Sequence, residues 1–247
     1  MSEANTFSII AHCSRTGQIG VAIATAVPAV GSMCPYIRTG VGAASTQSWV
    51  NPYLALGALA AIETGKGAAE ALAIAIAEDG AIQLRQIGLV DAKGESAAHT
   101  GSDCTPWCGQ ILRDGFAVLG NMLTGPKVLA KMASAFERSA DADLAERLML
   151  ALEAGDQAGG DKRGRQSAAL RIHAEEVYPL LDIRVDEHAT PVAELRRILR
   201  IARAQLLPFV LGMPKRGQPP GPVPADVTNM LLLSPPDRPE GGGSRRK

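Results

Sequence analysis

Thr6-Phe7-Ser8-Ile9-Ile10-Ala11-His12 turns through Arg15-Thr16-Gly17 and returns as Gln18-Ile19-Gly20-Val21-Ala22-Ile23-Ala24. Two apolar runs of strand length around a Gly-containing turn predict a hairpin, with strands over 6–12 and 18–25. The second run is built from small and β-branched residues. It suits a strand closely packed on its neighbours.

Working outward, Gly31 to Pro35 is expected as a loop. Thr39 to Gln47 predicts a third strand, glycine-bearing and central. Asn51-Pro52 marks a helix start, since proline in the first turn gives up an N–H that has no partner there. Alanine-rich helices are expected over about 52–64 and 67–78, parted at Gly65-Lys66-Gly67. A second hairpin follows, Leu84 to Asp91 and Glu95 to Thr100 around Ala92-Lys93-Gly94. Another strand is expected within Gly115 to Leu119, then helices over about 126–139 and 143–156. Beyond the glycine-rich loop Gly155 to Gly164, strands are expected at Ser167 to His173 and Leu180 to Asp186. A last helix runs from Pro191 to about Leu207. Strands thus fall in two groups, each followed by a helical pair. That order is compatible with two stacked sheets covered by helices, an αββα sandwich, but period alone does not separate it from other α+β folds.

Composition narrows the class. Hydrophobic residues make up 46% of 247 and aromatics only 4%, so the core is built from Ala, Val, Leu and Ile in close contact. The 25 basic and 25 acidic residues balance, which gives no reason to expect nucleic acid or an anionic membrane as partner. Arg196, Arg197, Arg200 and Arg203 read as the solvated side of one helix. No run approaches the roughly 18 apolar residues of a spanning helix, and no secretory signal is visible, so a cytoplasmic protein is expected. Four cysteines do not make a disulfide framework here. His99, Cys104 and Cys108 lack zinc-site spacing, and no phosphate or dinucleotide motif is present, so no metal or cofactor is expected. The last 36 residues hold 8 of the 16 prolines, which predicts an extended or disordered arm over 212–247 behind a domain over 1–211. Its apolar patch, Met230 to Leu233, together with the flat alanine-rich helices, predicts a homodimer.

Several polar residues sit where chemistry is possible. A hydroxyl on the first residue of such a hairpin is how an N-terminal-nucleophile hydrolase begins. Thr6 would attack, with its own α-amine, of reference pKa about 8, as the base. That requires release of Met1 to Asn5. The plain alternative is a strand-favouring threonine at an edge. Asp161, Arg163, Arg165, Gln166 and Ser167 form the densest polar group, at the entrance of a strand. An Asp beside an Arg stays ionised and orients an amine, while Ser or Gln donates to an oxyanion. A charged surface turn is the competing reading. Asn121, between strand and helix, is a natural oxyanion donor or a turn residue, and Thr46 and Gln47 at the end of the third strand stand in the same position.

The hairpin, Ala44-Ser45-Thr46-Gln47-Ser48 with Asn51-Pro52, Arg85 to Asp91, Gly120-Asn121-Met122-Leu123 and Gly159 to Ala168 together resemble the family called domain of unknown function 1028. The resemblance spans roughly Thr6 to Leu199. It implies an α+β fold, the four-layer αββα sandwich of Ntn-hydrolase type, and no substrate. Many members of this family begin Met-Thr-Phe-Ser, and the present chain departs from them in Met1 to Asn5. Asp161 and Ser167 loosely resemble the Asp and Ser that support the threonine of proteasome-type enzymes. The expectation is an amidohydrolase acting on a small amide or peptide-like metabolite, with Thr6, Asn121, Asp161 and Ser167 catalytic and Thr46, Gln47, Arg163, Arg165 and Gln166 binding substrate. The alternative is a non-catalytic protein of the same fold that binds a small molecule or assembles with a partner.

Overall fold

The computed structural model describes residues 6–219, 221, 222 and 224–232. Met1 to Asn5, Leu233 and the glycine-rich end lie outside the described residues. The chain divides into two compact units between Leu195 and Arg196.

The first hairpin forms where the sequence places it. Strand β1 (Thr6–His12) pairs antiparallel with β2 (Ile19–Thr25), Thr6 opposite Thr25 and His12 opposite Ile19. Its turn closes through Gly17 N–H donating to Cys13 O at 2.8 Å. Gly17 stands at φ 68°, a left-handed position that glycine takes without a Cβ clash. This hairpin is the middle of a six-stranded sheet. Strands β7 (Gly109–Arg113) and β8 (Phe116–Asn121) continue it beyond β1, while β9 (Ser167–His173) and β10 (Leu181–Val185) continue it beyond β2. A four-stranded sheet holds β3 (Pro35–Arg38), β4 (Gly42–Ser48), β5 (Arg85–Asp91) and β6 (Ser96–Thr100) in that order. Every pairing in both sheets is antiparallel. The protein is therefore a mixed α+β structure with two antiparallel sheets.

Strand alternation assigns each face. Ile10, Val21, Ala117 and Leu119 meet Ala43 and Val90 in one buried cluster, so these faces of the two sheets pack on each other. Gly88 makes the approach possible. A Cβ there would stand 2.7 Å from both Leu119 methyl carbons. The opposite face of the four-stranded sheet carries Ala44, Ile87, Leu89 and Ala97. It packs on α2 (Pro52–Glu63) and α3 (Ala68–Ala77). Helices α4 (Lys127–Arg138) and α5 (Leu144–Gln157) pack on the six-stranded sheet. Caps set these helices. Asn51 accepts from Tyr53 N at 3.1 Å ahead of Pro52, and Asp143 accepts from Glu146 N at 2.9 Å.

Three expectations are corrected. The loop expected over Gly31 to Pro35 is α1 (Val30–Met33) followed by β3, and β7 was absent from the sequence reading. Both missed strands are sheet edges, so neither carries the buried alternation that reveals a strand. The stretch expected to be extended after Gly212 contains the helix α8 (Ala225–Leu232). Pro224 stands just ahead of its first turn, where a missing N–H costs nothing, and its carbonyl accepts from Thr228 N at 3.0 Å. Helices α6 (Pro191–Gln205) and α7 (Leu207–Leu211) complete the described elements, apart from one 3-10 turn at Ile82–Leu84.

Candidate functional site

The register of four neighbouring strands sets a polar row across one end of the six-stranded sheet. Asn121 stands opposite Thr6, Thr6 opposite Thr25, and Thr25 opposite Ser167. Directly opposed residues point to the same face, so these four side chains share the side turned to the second sheet. All four are buried. Thr6 and Ser167 are two ladder steps apart, roughly 10 Å at about 4.8 Å per strand.

The second sheet meets this row with amides. Ser8 Oγ donates to Gln47 Oε1 at 2.7 Å, and Gln47 Nε2 donates to Gln86 Oε1 at 2.7 Å. Asn121 Nδ2 donates to the same Gln86 oxygen at 3.1 Å. Gln86 Nε2 in turn reaches Thr100 Oγ1 at 2.8 Å and Gly120 O at 3.0 Å. Gln47 Nε2 also approaches Thr6 O at 3.4 Å, and Thr6 Oγ1 lies 3.4 Å from Thr25 Oγ1. Ser8, Gln47, Gln86, Asn121 and Thr6 are all within 1% of full burial. Unmade hydrogen bonds in such a place cost about 1–3 kcal/mol each, so the network rigidifies whatever it touches.

The chain leaving these strands is held in uncommon conformations. Ser48 follows Gln47 at φ 64°, Met122 follows Asn121 at φ 49°, and Ala29 stands at φ 55° just past β2. Left-handed backbone at non-glycine residues costs energy and collects at functional sites. Asp161 locks the same region. Its carboxylate accepts from Ala26 N, the residue after Thr25, at 3.0 Å and from Arg163 N at 2.9 Å. Ser167 Oγ donates to Val27 O at 2.6 Å and accepts from Val30 N at 3.1 Å.

The candidates drawn from the sequence thus separate into two groups. Thr6, Asn121, Gln47, Asp161 and Ser167 collect at one end of the paired sheets. Arg163 leans on Asp161 at 3.3 Å and is one-third exposed. Gln166 joins through its backbone, donating to Thr25 O at 2.9 Å. Thr46 lies on the other face of β4 from Gln47 and accepts from Asn51 N at 3.4 Å. Arg165 reaches back to Asp156 at 2.6 Å on the surface. Sequence reasoning missed Ser8, Thr25, Gln86 and Thr100. Thr25 stands opposite Thr6 because the ladder closes on His12 and Ile19, a register that counting outward from Gly17 does not give.

The cysteines and the histidine near the site are engaged in other ways. Burial pushes the Cys34 thiol up to about 12, which keeps it protonated. Cys104 Sγ donates to Arg85 O at 3.3 Å, Cys108 Sγ to Cys104 O at 3.5 Å, and His99 Nε2 meets Ile82 O at 3.2 Å.

Fold and site define the class first: a mixed α+β protein whose two packed antiparallel sheets bury an amide and hydroxyl network at one end. The chain belongs to the family of unknown function DUF1028, matched over residues 6–195. The crystal structure of protein SPO2555 from Silicibacter pomeroyi, described by the same family, is 30% identical, with a TM-score of 0.75 over 80% of this chain and 89% of that one. Anbu, an ancestral β-subunit from Yersinia bercovieri, aligns at 12% identity and a TM-score of 0.40 over 86% of this chain and 100% of its own. A Gly-1 mutant of Anbu from Hyphomicrobium sp. strain MC1 gives 12% and 0.41, with 86% and 100% covered. No curated protein matches the chain. Among the described residues, no helix is long and apolar enough to cross a membrane.

Proposed function

We propose that the protein is an amidohydrolase of the N-terminal-nucleophile type, on a four-layer αββα sandwich, acting on a small amide or peptide-like metabolite. The observation that carries this reading is the position of Thr6, at the head of β1 inside the buried row Asn121–Thr6–Thr25–Ser167. Breaking the Asn5–Thr6 bond turns the Thr6 nitrogen from an amide into an amine. That amine takes the Oγ proton as Oγ bonds to the substrate carbonyl carbon. Asn121 Nδ2 has two hydrogens and gives one to Gln86, so the other is left for the developing oxyanion. The C–N bond then breaks, the proton leaves with the departing amine, and water hydrolyses the Thr6 ester. Asp161 and Ser167 hold the chain that follows Thr25 and so fix the row itself. Arg163, one-third exposed beside Asp161, would meet a substrate carboxylate, with Gln47 lining the row it approaches.

A second reading, a small-molecule binder without catalysis, draws on the make-up of the network. Among the described residues it consists, apart from Asp161, of uncharged amides and hydroxyls, and an unfreed Thr6 lacks the α-amine that the enzyme reading uses as its base. A panel of small amides and dipeptides assayed against wild type, Thr6→Ala and Thr6→Ser separates the two. Turnover by wild type, kept in part by the serine variant and lost in the alanine variant, supports the enzyme. Equal background in all three supports the binder.

Assembly belongs to the same proposal. Tyr53, Leu56 and Ile74 are 79%, 42% and 44% exposed on α2 and α3, whose surfaces are apolar nearly all round. Such helices call for cover, and a two-fold dimer supplies it. The arm was expected to contribute through Met230 to Leu233, of which Leu233 lies outside the described residues.

A further inference from the structure

At the other end of β1, about 20 Å from Thr6 by strand rise, a cleft of about 420 Å³ opens beside His12. Two hairpin turns, one from each sheet, form its rim and are tied together by Gly115 N donating to Gly94 O at 2.8 Å. Helices α4 and α5 supply the opposite wall. The wall is helical and the two rim turns are held together by that backbone hydrogen bond, so the cleft is preformed.

Its chemistry centres on Arg147. The guanidinium carbon lies 3.9 Å from the centroid of the Phe136 ring, which holds the group in place by cation–π attraction. Among the described residues no carboxylate or carbonyl accepts from it, and its Nε is fully buried without a partner. Burial lowers its pKa and the Arg15 charge adds to this, against the opposing charge of Cys13 and a side-chain hydrogen bond to that thiol. A half-buried arginine with no anion is costly, and an incoming carboxylate matches its fork with two parallel hydrogen bonds.

The remaining charges define the rest of the ligand. Arg113 and Glu137 face each other at 3.5 Å and offset one another. Lys93 and Asp114 make no side-chain hydrogen bond or ion pair among the described residues, and both are exposed on the rim. Burial holds His12 below its ordinary value, against the pull of Asp91 and Asp114, so it adds no full charge at neutral pH. The cleft therefore offers two cations and one anion, and Phe116 and Phe136 also line it. That is too little positive charge for a phosphate dianion. It suits a carboxylate and an ammonium on one small body.

We propose that this cleft binds a small apolar α-amino acid, with the carboxylate on Arg147 and Lys93, the ammonium at Asp114 and the side chain against Phe116. It is a site separate from Thr6 and does not depend on catalysis there. Isothermal titration of the full chain with L-leucine, 4-methylpentanoate, which lacks the ammonium, and isopentylamine, which lacks the carboxylate, tests it. L-Leucine should bind saturably, and each truncated analogue should bind at least about tenfold more weakly. Arg147→Gln should weaken L-leucine by at least about tenfold, whereas Asp114→Asn, on the exposed rim, should weaken L-leucine and leave 4-methylpentanoate unchanged. No saturable L-leucine binding up to about 10 mM overturns the proposal. So does binding that neither variant alters, or equal affinity for all three compounds.

Discussion

Replacing Gln86 by leucine tests the buried network, because Gln86 is where its two sheets meet. Leucine is one bond shorter than glutamine, is apolar, and removes both its acceptor and its donor. Gln47 Nε2 and Asn121 Nδ2 lose the oxygen they share at 2.7 and 3.1 Å, and Gly120 O and Thr100 Oγ1 lose a donor at 3.0 and 2.8 Å. Thr100 Oγ1 keeps its own donation to Gln110 Oε1 at 2.8 Å, and Gln47 keeps its long contact with Thr6 O. Asn121 Nδ2 and Gly120 O remain stranded, at about 1–3 kcal/mol each. The apolar side chain returns about 1–2 kcal/mol by burial. The expected net loss is about 3 kcal/mol, read from urea unfolding midpoints at unchanged slope. Gln86→Glu sharpens the test. Ionised, it would set a second oxygen against the carbonyls of Gly109 and Gly120, so the folded protein holds it protonated and its pKa rises. Stability is then retained below the unfolded value of about 4.3 and lost as pH rises through the folded pKa. A loss under about 1 kcal/mol for Gln86→Leu, with no such pH dependence for Gln86→Glu, would refute the claim that this network is tightly satisfied.

Acid should weaken the fold through His173. Burial, with Arg171 adding to it, pulls its pKa from 6.5 to about 4, and its Nε2 has no partner among the described residues. The folded value lies below the unfolded one, so stability is complete above about pH 6.5 and falls toward pH 4, by at most about 3 kcal/mol. His173→Leu should flatten that fall in urea midpoints, and an undiminished fall would reject the assignment. On the outside of the fold, Leu56→Glu with Ile74→Glu should convert a dimer to a monomer in light scattering at micromolar concentration with circular dichroism unchanged. A wild-type monomer rejects the assembly.

Much of the fold was legible because its central elements carry strong local signals. The first hairpin and Ser167–His173 are short, nearly continuous buried runs, and Asn51-Pro52 marks its helix as plainly as any residue pair can. Edge strands β3 and β7 were not, since half-exposed residues such as Tyr36 and Gln110 carry no burial pattern to read. The site was legible as a list of polar residues and illegible as a geometry. Gln86 reads in sequence as one polar residue within an apolar strand. Only the packing of β5 on β8 turns it into the common partner of Gln47 and Asn121. Arg165 shows the converse: glycine neighbours and a following core strand marked it for chemistry, but the last turn of α5 places Asp156 within 2.6 Å of it.

The intact mass of the purified protein tests the central claim most directly. A threonine that works through its own α-amine must begin the chain. The account predicts a mature species whose first residue is Thr6, with Thr6→Ala leaving the fold intact and removing amide turnover. A purified, amide-hydrolysing protein that still starts at Met1 or Ser2 would contradict it.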